Sequence, residues 1–121
     1  QPVYVDDVAH AVVTALGRSD TAGKTYELGG PRVFTFKEIL EYIGEVTGQK
    51  RALVPIPFSI AGVMGSVAQL LPNPMLTNDQ VRLLKYDNVV SEEALTFADL
   101  GITPTPVEAV VPEYLSYRKA A

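Results

Sequence analysis

His10 is the single histidine of the chain. An imidazole is the common general base near neutral pH, but it needs a nucleophile beside it or further ligands around a metal. His10 stands between Ala9 and Ala11 with neither arrangement in its neighbourhood, so it reads as structural or surface. The acidic pair Asp6-Asp7 offers another chemistry, a general base or an acceptor for a sugar hydroxyl, and equally the cap of a helix N-terminus. Gly29-Gly30-Pro31 could approach a phosphate, but it lacks the G-x-G-x-x-G spacing and no helix opens from it, which leaves a turn that ends a strand. In Gly62-Val63-Met64-Gly65-Ser66 the glycines read as allowing close helix packing. The six tyrosines are Tyr4, Tyr26, Tyr42, Tyr86, Tyr114 and Tyr117, and none is followed by Lys four residues on. The chain has no cysteine, which excludes disulfides, zinc-thiolate sites and thiol catalysis.

These residues must be held by a series of short elements. Val3-Tyr4-Val5 reads as a strand, and Asp6 or Asp7 as the cap of a helix through Val8, Val12 and Ala15 that ends at Gly17. Thr25-Tyr26-Glu27-Leu28 reads as a second strand. The next helix carries the strongest local signal. Thr35 and Glu38 form a capping box, Phe34 and Ile39 occupy the staple positions, and Phe36, Ile39, Leu40, Ile43 and Val46 recur at helical spacing up to Gly48. Ala52-Leu53-Val54 reads as a third strand, followed by a helix to about Leu71. Thr77 and Gln80 repeat the capping box, with Leu76 and Val81 as its staple and a helix to about Tyr86. Ser91 caps a short helix with Glu92 and Glu93 in its first turn. The last helix starts around Thr105, Pro106 and Glu108, and Pro112 should kink it or delay its start. The fold class expected is α/β, or α+β as an isolated fragment, with two or three short strands and five to six helices. The second and third strands with their connecting helix would make one right-handed βαβ unit. So few strands form a poor sheet alone and suit the edge of a larger one.

The 121 residues suffice for one small domain, expected as a single lobe over residues 1–121, and 47% hydrophobic with 20% charged is ordinary globular composition. A net charge of −4 with scattered basic residues argues against nucleic acid and anionic membrane surfaces. No charge occurs from Ala52 to Asn78. Pro55, Pro57, Pro72 and Pro74 split that stretch into an extended piece and a helix of roughly 14 residues, too short to span a bilayer. Ser59, Gly62, Ser66 and Gln69 give this helix one small, polar face, so it reads as a core helix packed on its larger face, with a partner or membrane surface as the alternative. A chain that starts at Gln1 in an apparent strand-to-helix connection reads as a piece from the tail of a larger protein in a reducing compartment.

Several segments together resemble the C-terminal part of the extended or atypical short-chain dehydrogenases/reductases, the NAD-dependent epimerase/dehydratase-like proteins. Val5-Asp6-Asp7-Val8-Ala9 is similar to a "V-x-D-V-A" step, and Tyr26-Glu27-Leu28-Gly29-Gly30 to the "Y-x-x-G-G" strand that follows it. Leu100-Gly101-Ile102-Thr103-Pro104-Thr105 resembles the closing "L-G-x-x-P-T" step. Thr77-Asn78-Asp79-Gln80-Val81-Arg82-Leu83-Leu84 and Asp87-Asn88-Val89-Val90-Ser91 are similar to the branch that includes the NAD(P)H-binding accessory subunit of respiratory complex I and its bacterial homologues. The resemblance covers essentially the whole chain.

It implies the substrate-side lobe of a Rossmann-type protein without its nucleotide-binding half. The cofactor fingerprint and the Tyr-x-x-x-Lys pair would lie in that other half. The fragment is therefore expected to carry no catalytic, cofactor-binding or metal residue, and the full-length protein to bind NAD(P). Tyr4, Asp7 and Arg82 are the candidates to face a substrate. Expected partners are the chain's own N-terminal Rossmann domain and a respiratory complex or a second copy, without nucleic acid or a transmembrane segment. The location expected is cytoplasmic, or peripheral to the inner membrane. Three readings stay open: part of an oxidoreductase, epimerase or dehydratase; an accessory or assembly module docked to a membrane complex; and a free-standing binding domain.

Overall fold

The computed structural model describes residues 1–49, 51–68 and 77–115. The chain forms two compact units, one of Gln1–Arg51 with Val89–Ala121 and one of Ala52–Asn88. The described residues are mostly helical: α1 Val5–Leu16, α2 Phe36–Thr47, α3 Phe58–Ala68, α4 Asn78–Leu83 and α5 Val107–Leu115, with 3-10 turns at Ser19–Thr21 and Ala98–Leu100.

The first unit is built on α1. Val8, Ala11 and Ala15 lie three to four residues apart and so share one face. Ala11 is buried with Phe97, Leu100 and Ile102, while Val8, Ala15, Tyr26 and Leu28 pack against them. Phe97 is the largest fully buried side chain. It is held by a tight turn in which Leu100 N and Ile102 N both donate to its carbonyl, at 3.1 and 2.9 Å. Gly101 completes that turn at φ +74°, the left-handed conformation that glycine adopts without a Cβ clash. Thr96 and Asp99 close it on the other side, Thr96 N donating to Asp99 Oδ2 at 2.7 Å. The C-terminus of α1 is sealed by the buried Thr21, whose hydroxyl lies 2.6 Å from Ala15 O and 2.7 Å from Arg18 O.

Helix α2 follows the sequence closely. The Thr35 side chain accepts from Glu38 N, Glu38 answers at the Thr35 backbone, and Gly48 caps the other end in the left-handed conformation. Helix α2 packs against α5, and Arg32 reinforces the contact from outside. Its guanidinium lies 3.2 Å from Glu108 and 3.8 Å from Glu38, and 4.4 Å from the centre of the Phe34 ring.

In the second unit α3 packs on α4. Thr77 caps α4 through the expected box with Gln80. Val81 is buried on α4 and Gly65 on α3. A Cβ on Gly62 would meet open space.

Several expectations are corrected. Among the described residues the β-pairing is a single parallel bridge, Tyr26 to Leu95, supported by Glu27 N donating to Leu95 O at 2.8 Å. The expected α/β sheet is absent there: Val5 is already helical, Val3 and Tyr4 are extended without a partner strand, and Ala52–Val54 is unpaired. A strand needs a neighbour to bond to, and local β-propensity does not supply one. Asp6 and Asp7 do not cap α1. Its N-cap is Tyr4, with no side-chain cap bond, and both acids lie in the first turn, where the helix dipole favours negative charge. Ser91 starts no helix; residues 92–94 form a turn, and the Ser91 hydroxyl is turned to Glu27 instead. Pro112 lies inside α5 and does not delay its start, which falls directly after Pro106. The larger face of α3 is not buried: Phe58, Ile60, Val63, Met64 and Val67 are all about half exposed or more. The Gln69, Leu71 and Leu76 positions, and the Pro72 to Pro74 loop, fall outside the described residues.

Candidate functional site

The groups that could act on a ligand gather where residues 1–7 meet α2, α5 and the segment before α5. Asp7, in the first turn of α1, reaches 98 positions along the chain to Thr105. Its Oδ2 accepts from the Thr105 backbone N at 2.6 Å and its Oδ1 from the Thr105 hydroxyl at 3.0 Å. Two donors from one residue onto both oxygens of one carboxylate form a rigid clamp. It fixes the start of α5 against the start of α1.

Beside the clamp lies a cleft of about 270 Å³. Its walls come from Val3 and Tyr4, from Ile39, Tyr42 and Ile43 of α2, and from Val110 of α5, among others. They are almost wholly apolar, as in a site for an alkyl or aromatic group. Thr105 and two phenols are the exceptions. The Tyr4 hydroxyl donates to Asp6 Oδ2 at 2.6 Å, and this bond, ahead of partial burial, holds the phenol well above its ordinary range. Desolvation, then the carboxylates of Glu108 and Glu45, raise Tyr42. Both therefore stay protonated at neutral pH and are not bases; the Tyr4 proton is given to Asp6, which leaves its oxygen free to accept.

The glycine pair has a steric explanation. A Cβ on Gly30 would overlap the carbonyl oxygen of Pro2, and one on Gly29 would come within 2.6 Å of Val90 Cγ2. The Gln1 amide stitches the same place together, Nε2 donating to Gly30 O at 2.8 Å and Oε1 accepting from Val90 N at 2.9 Å. The pair lets three chain segments converge. It leads into no helix N-terminus of the kind that holds a dinucleotide pyrophosphate, so these residues do not fit that role.

Of the three candidate substrate-facing residues, Tyr4 lines the cleft and Asp7 stands in the clamp beside it. Arg82 lies exposed in the last turn of α4, in the second unit. His10 is exposed on α1. Among the described residues no group of His, Asp and Glu is placed to hold a metal ion, and no helix is long and apolar enough to cross a membrane. Sequence reasoning missed Thr105 as the partner of Asp7, Gln1 as a stitch, and Phe97 as the centre of the core. For Phe97 a signal existed, a lone aromatic just before Leu100-Gly101-Ile102.

No family model matches the chain. Several curated relatives match nearly all of it, three of them as follows. The chain is 41% identical over 98% of its length to the mitochondrial NADH dehydrogenase (ubiquinone) 1 alpha subcomplex subunit 9 of Arabidopsis thaliana, covering 32% of that protein. It is 35% identical over 99% of its length to the mitochondrial NADH-ubiquinone oxidoreductase 40 kDa subunit of Neurospora crassa, again covering 32% of it. The alpha subcomplex subunit 9 of Mus musculus is 32% identical over 89% of the chain, which covers 29% of that protein. The chain thus spans about a third of the length of the relatives it matches.

Proposed function

We propose that the chain is the C-terminal lobe of a subunit of an NADH:ubiquinone oxidoreductase complex, in which it serves attachment rather than redox chemistry. The observation that carries this reading is the similarity over 98% and 99% of the chain to two proteins named as subunits of that enzyme. The structure supports it in kind. The second unit presents an uncharged, exposed apolar helix α3, with Val63 66% and Val67 62% exposed, and surfaces of this sort mark sites of association. The full-length protein, on this reading, has an N-terminal Rossmann half of the short-chain dehydrogenase type that binds NAD(P). The segment around Tyr26, with its single β-bridge, would join the edge of that half's sheet. The protein would sit peripherally at the membrane that carries the complex.

The test is co-purification. Tagged full-length protein, solubilised from its native membranes in mild detergent, should migrate with NADH:ubiquinone oxidoreductase activity on native gels. A protein found wholly free of that complex would sink the proposal.

A second reading, the substrate-side lobe of an active reductase or epimerase, is favoured by the apolar cleft with a protonated phenol at its wall. In that case Tyr4 and Asp7 would be the polar groups offered to a substrate; Asp7 keeps lone pairs beyond those that bind Thr105. Cofactor-loaded full-length protein that turns over none of a broad panel of carbonyl compounds and nucleotide sugars would rule this out.

A further inference from the structure

The cleft beside the Asp7–Thr105 clamp is a space that the first unit holds open. Protein interiors pack with few gaps larger than a water molecule, and apolar walls gain by closing on one another. Two features oppose closure here. Val3, Ile39, Ile43, Val107, Val110 and Val111 of the lining all branch at Cβ, so each side chain has few rotamers with which to fill the space. The walls are also tied from outside. Asp7 fixes Thr105, just ahead of α5, to the start of α1, and Arg32 links Glu38 in the first turn of α2 to Glu108 in the first turn of α5. The cleft measures about 270 Å³. An apolar cavity of about 150 Å³ already takes benzene, so this one has room for about ten carbon atoms.

The charges around the cleft select what can enter it. On one wall the Tyr4 phenol is bonded to the exposed Asp6. Thr105 is bonded to Asp7. After burial, the carboxylates of Glu108 and Glu45 raise the Tyr42 phenol, so both lie near it. The cation at the wall is the Arg32 guanidinium, which lies over the Phe34 ring and is shared between Glu108 and Glu38. Acidic groups therefore outnumber it, and their oxygens accept hydrogen bonds but do not donate them. An anionic head group would be repelled, whereas a cation finds complementary charge. We propose that the cleft binds an aliphatic amine, with a chain of up to about ten carbons between α2 and α5 and an ammonium head among the carboxylates. The site requires neither the attachment role nor a reductase activity, and so goes beyond both readings above.

Calorimetric titration of the full-length protein with octylamine, octan-1-ol and octanoate at neutral pH tests this, because the three share one chain and differ in the charge of the head. Octylamine should bind most tightly, octan-1-ol less so and octanoate least. The preference for the amine should shrink as salt is added, since charges at an open mouth are screened. Val110→Phe, which puts a ring into the cleft, should abolish binding of the amine and the alcohol alike. Asp6→Asn alters an exposed side chain and keeps an oxygen for Tyr4, so it decides the matter even if the first variant fails to fold. It should weaken octylamine by about two- to fivefold and leave octan-1-ol unchanged. Absence of octylamine binding overturns the proposal. So does octanoate that binds as tightly as octylamine, or octylamine binding that neither substitution alters, which would place the amine elsewhere. Failure of the functional reading is separate. A full-length protein found free of the respiratory complex that still binds the three probes in this order retains the site and discards the attachment role.

Discussion

Asp7 and Thr105 hold the two ends of the first unit together, and their removal has a definite cost. Asp7→Ala would lose two hydrogen bonds to a carboxylate and leave a half-buried backbone N–H without its acceptor. A destabilisation of about 2 to 3 kcal/mol is expected, read from urea unfolding, with Asp7→Asn losing less because its carbonyl still accepts. Gly30→Ala places a methyl group onto the Pro2 carbonyl; overpacking against backbone should cost about 1 to 3 kcal/mol and release residues 1–3, visible as faster hydrogen exchange at Val90. Glu27 and Glu38 contribute to the acid limb of stability, as does Asp20, which the Arg18 guanidinium holds below its ordinary value. The Ser91 backbone N–H, then its hydroxyl, hold Glu27 below its ordinary value of 4.5, and Thr35 does the same for Glu38. A carboxyl whose folded pKa is depressed stabilises the fold above about pH 4.5, and this contribution is lost as pH falls through the lower folded value. Melting temperature should therefore drop below about pH 4.5, and Glu27→Gln should flatten that drop. Thr35 and Glu38 lie within one local pattern, whereas the distant partners could not be read from the chain: Asp7 to Thr105 spans 98 positions and Glu27 to Ser91 spans 64.

Helices defined by their own caps were legible, and elements defined by a distant neighbour were not. Thr35 with Glu38 and Thr77 with Gln80 each satisfy orphan N–H groups within four residues, so sequence suffices. Thr35→Ala should cost about 1 kcal/mol, measured as loss of α2 helicity and stability together. Val3-Tyr4-Val5 and Ala52-Leu53-Val54 have strand-like composition but no pairing partner among the described residues, and composition alone did not make them strands. Ser91 carries a helix-starting residue type, yet its hydroxyl answers Glu27 from another part of the chain. The candidate site was legible only in part. Tyr4 and Asp7 do come together with the cleft, whereas Arg82 belongs to the other unit.

The two units differ in how much they bury. The first has a core of Ala11, Phe97, Leu100 and Ile102, while in the second Val81 is the buried hydrophobic side chain among those described. Local stability follows buried apolar contact. Native-state hydrogen exchange should therefore show amides of residues 58–68 and 78–83 exchanging well before those of α1. Equal protection in both units of the free protein would contradict this.

The ties of the first unit also have a consequence in time. Gln1 to Val90, Arg18 to Asp99, Arg32 to Glu108 and Asp7 to Thr105 all join the opening third of the chain to its last third. A ribosome adding about 5 to 20 residues per second needs about 5 to 20 s to travel from Asp7 to Thr105. For an interval of that length α1 exists without the residues that complete its core. A newborn chain thus carries the apolar face of α1 uncovered until Phe97, Leu100 and Ile102 have been made.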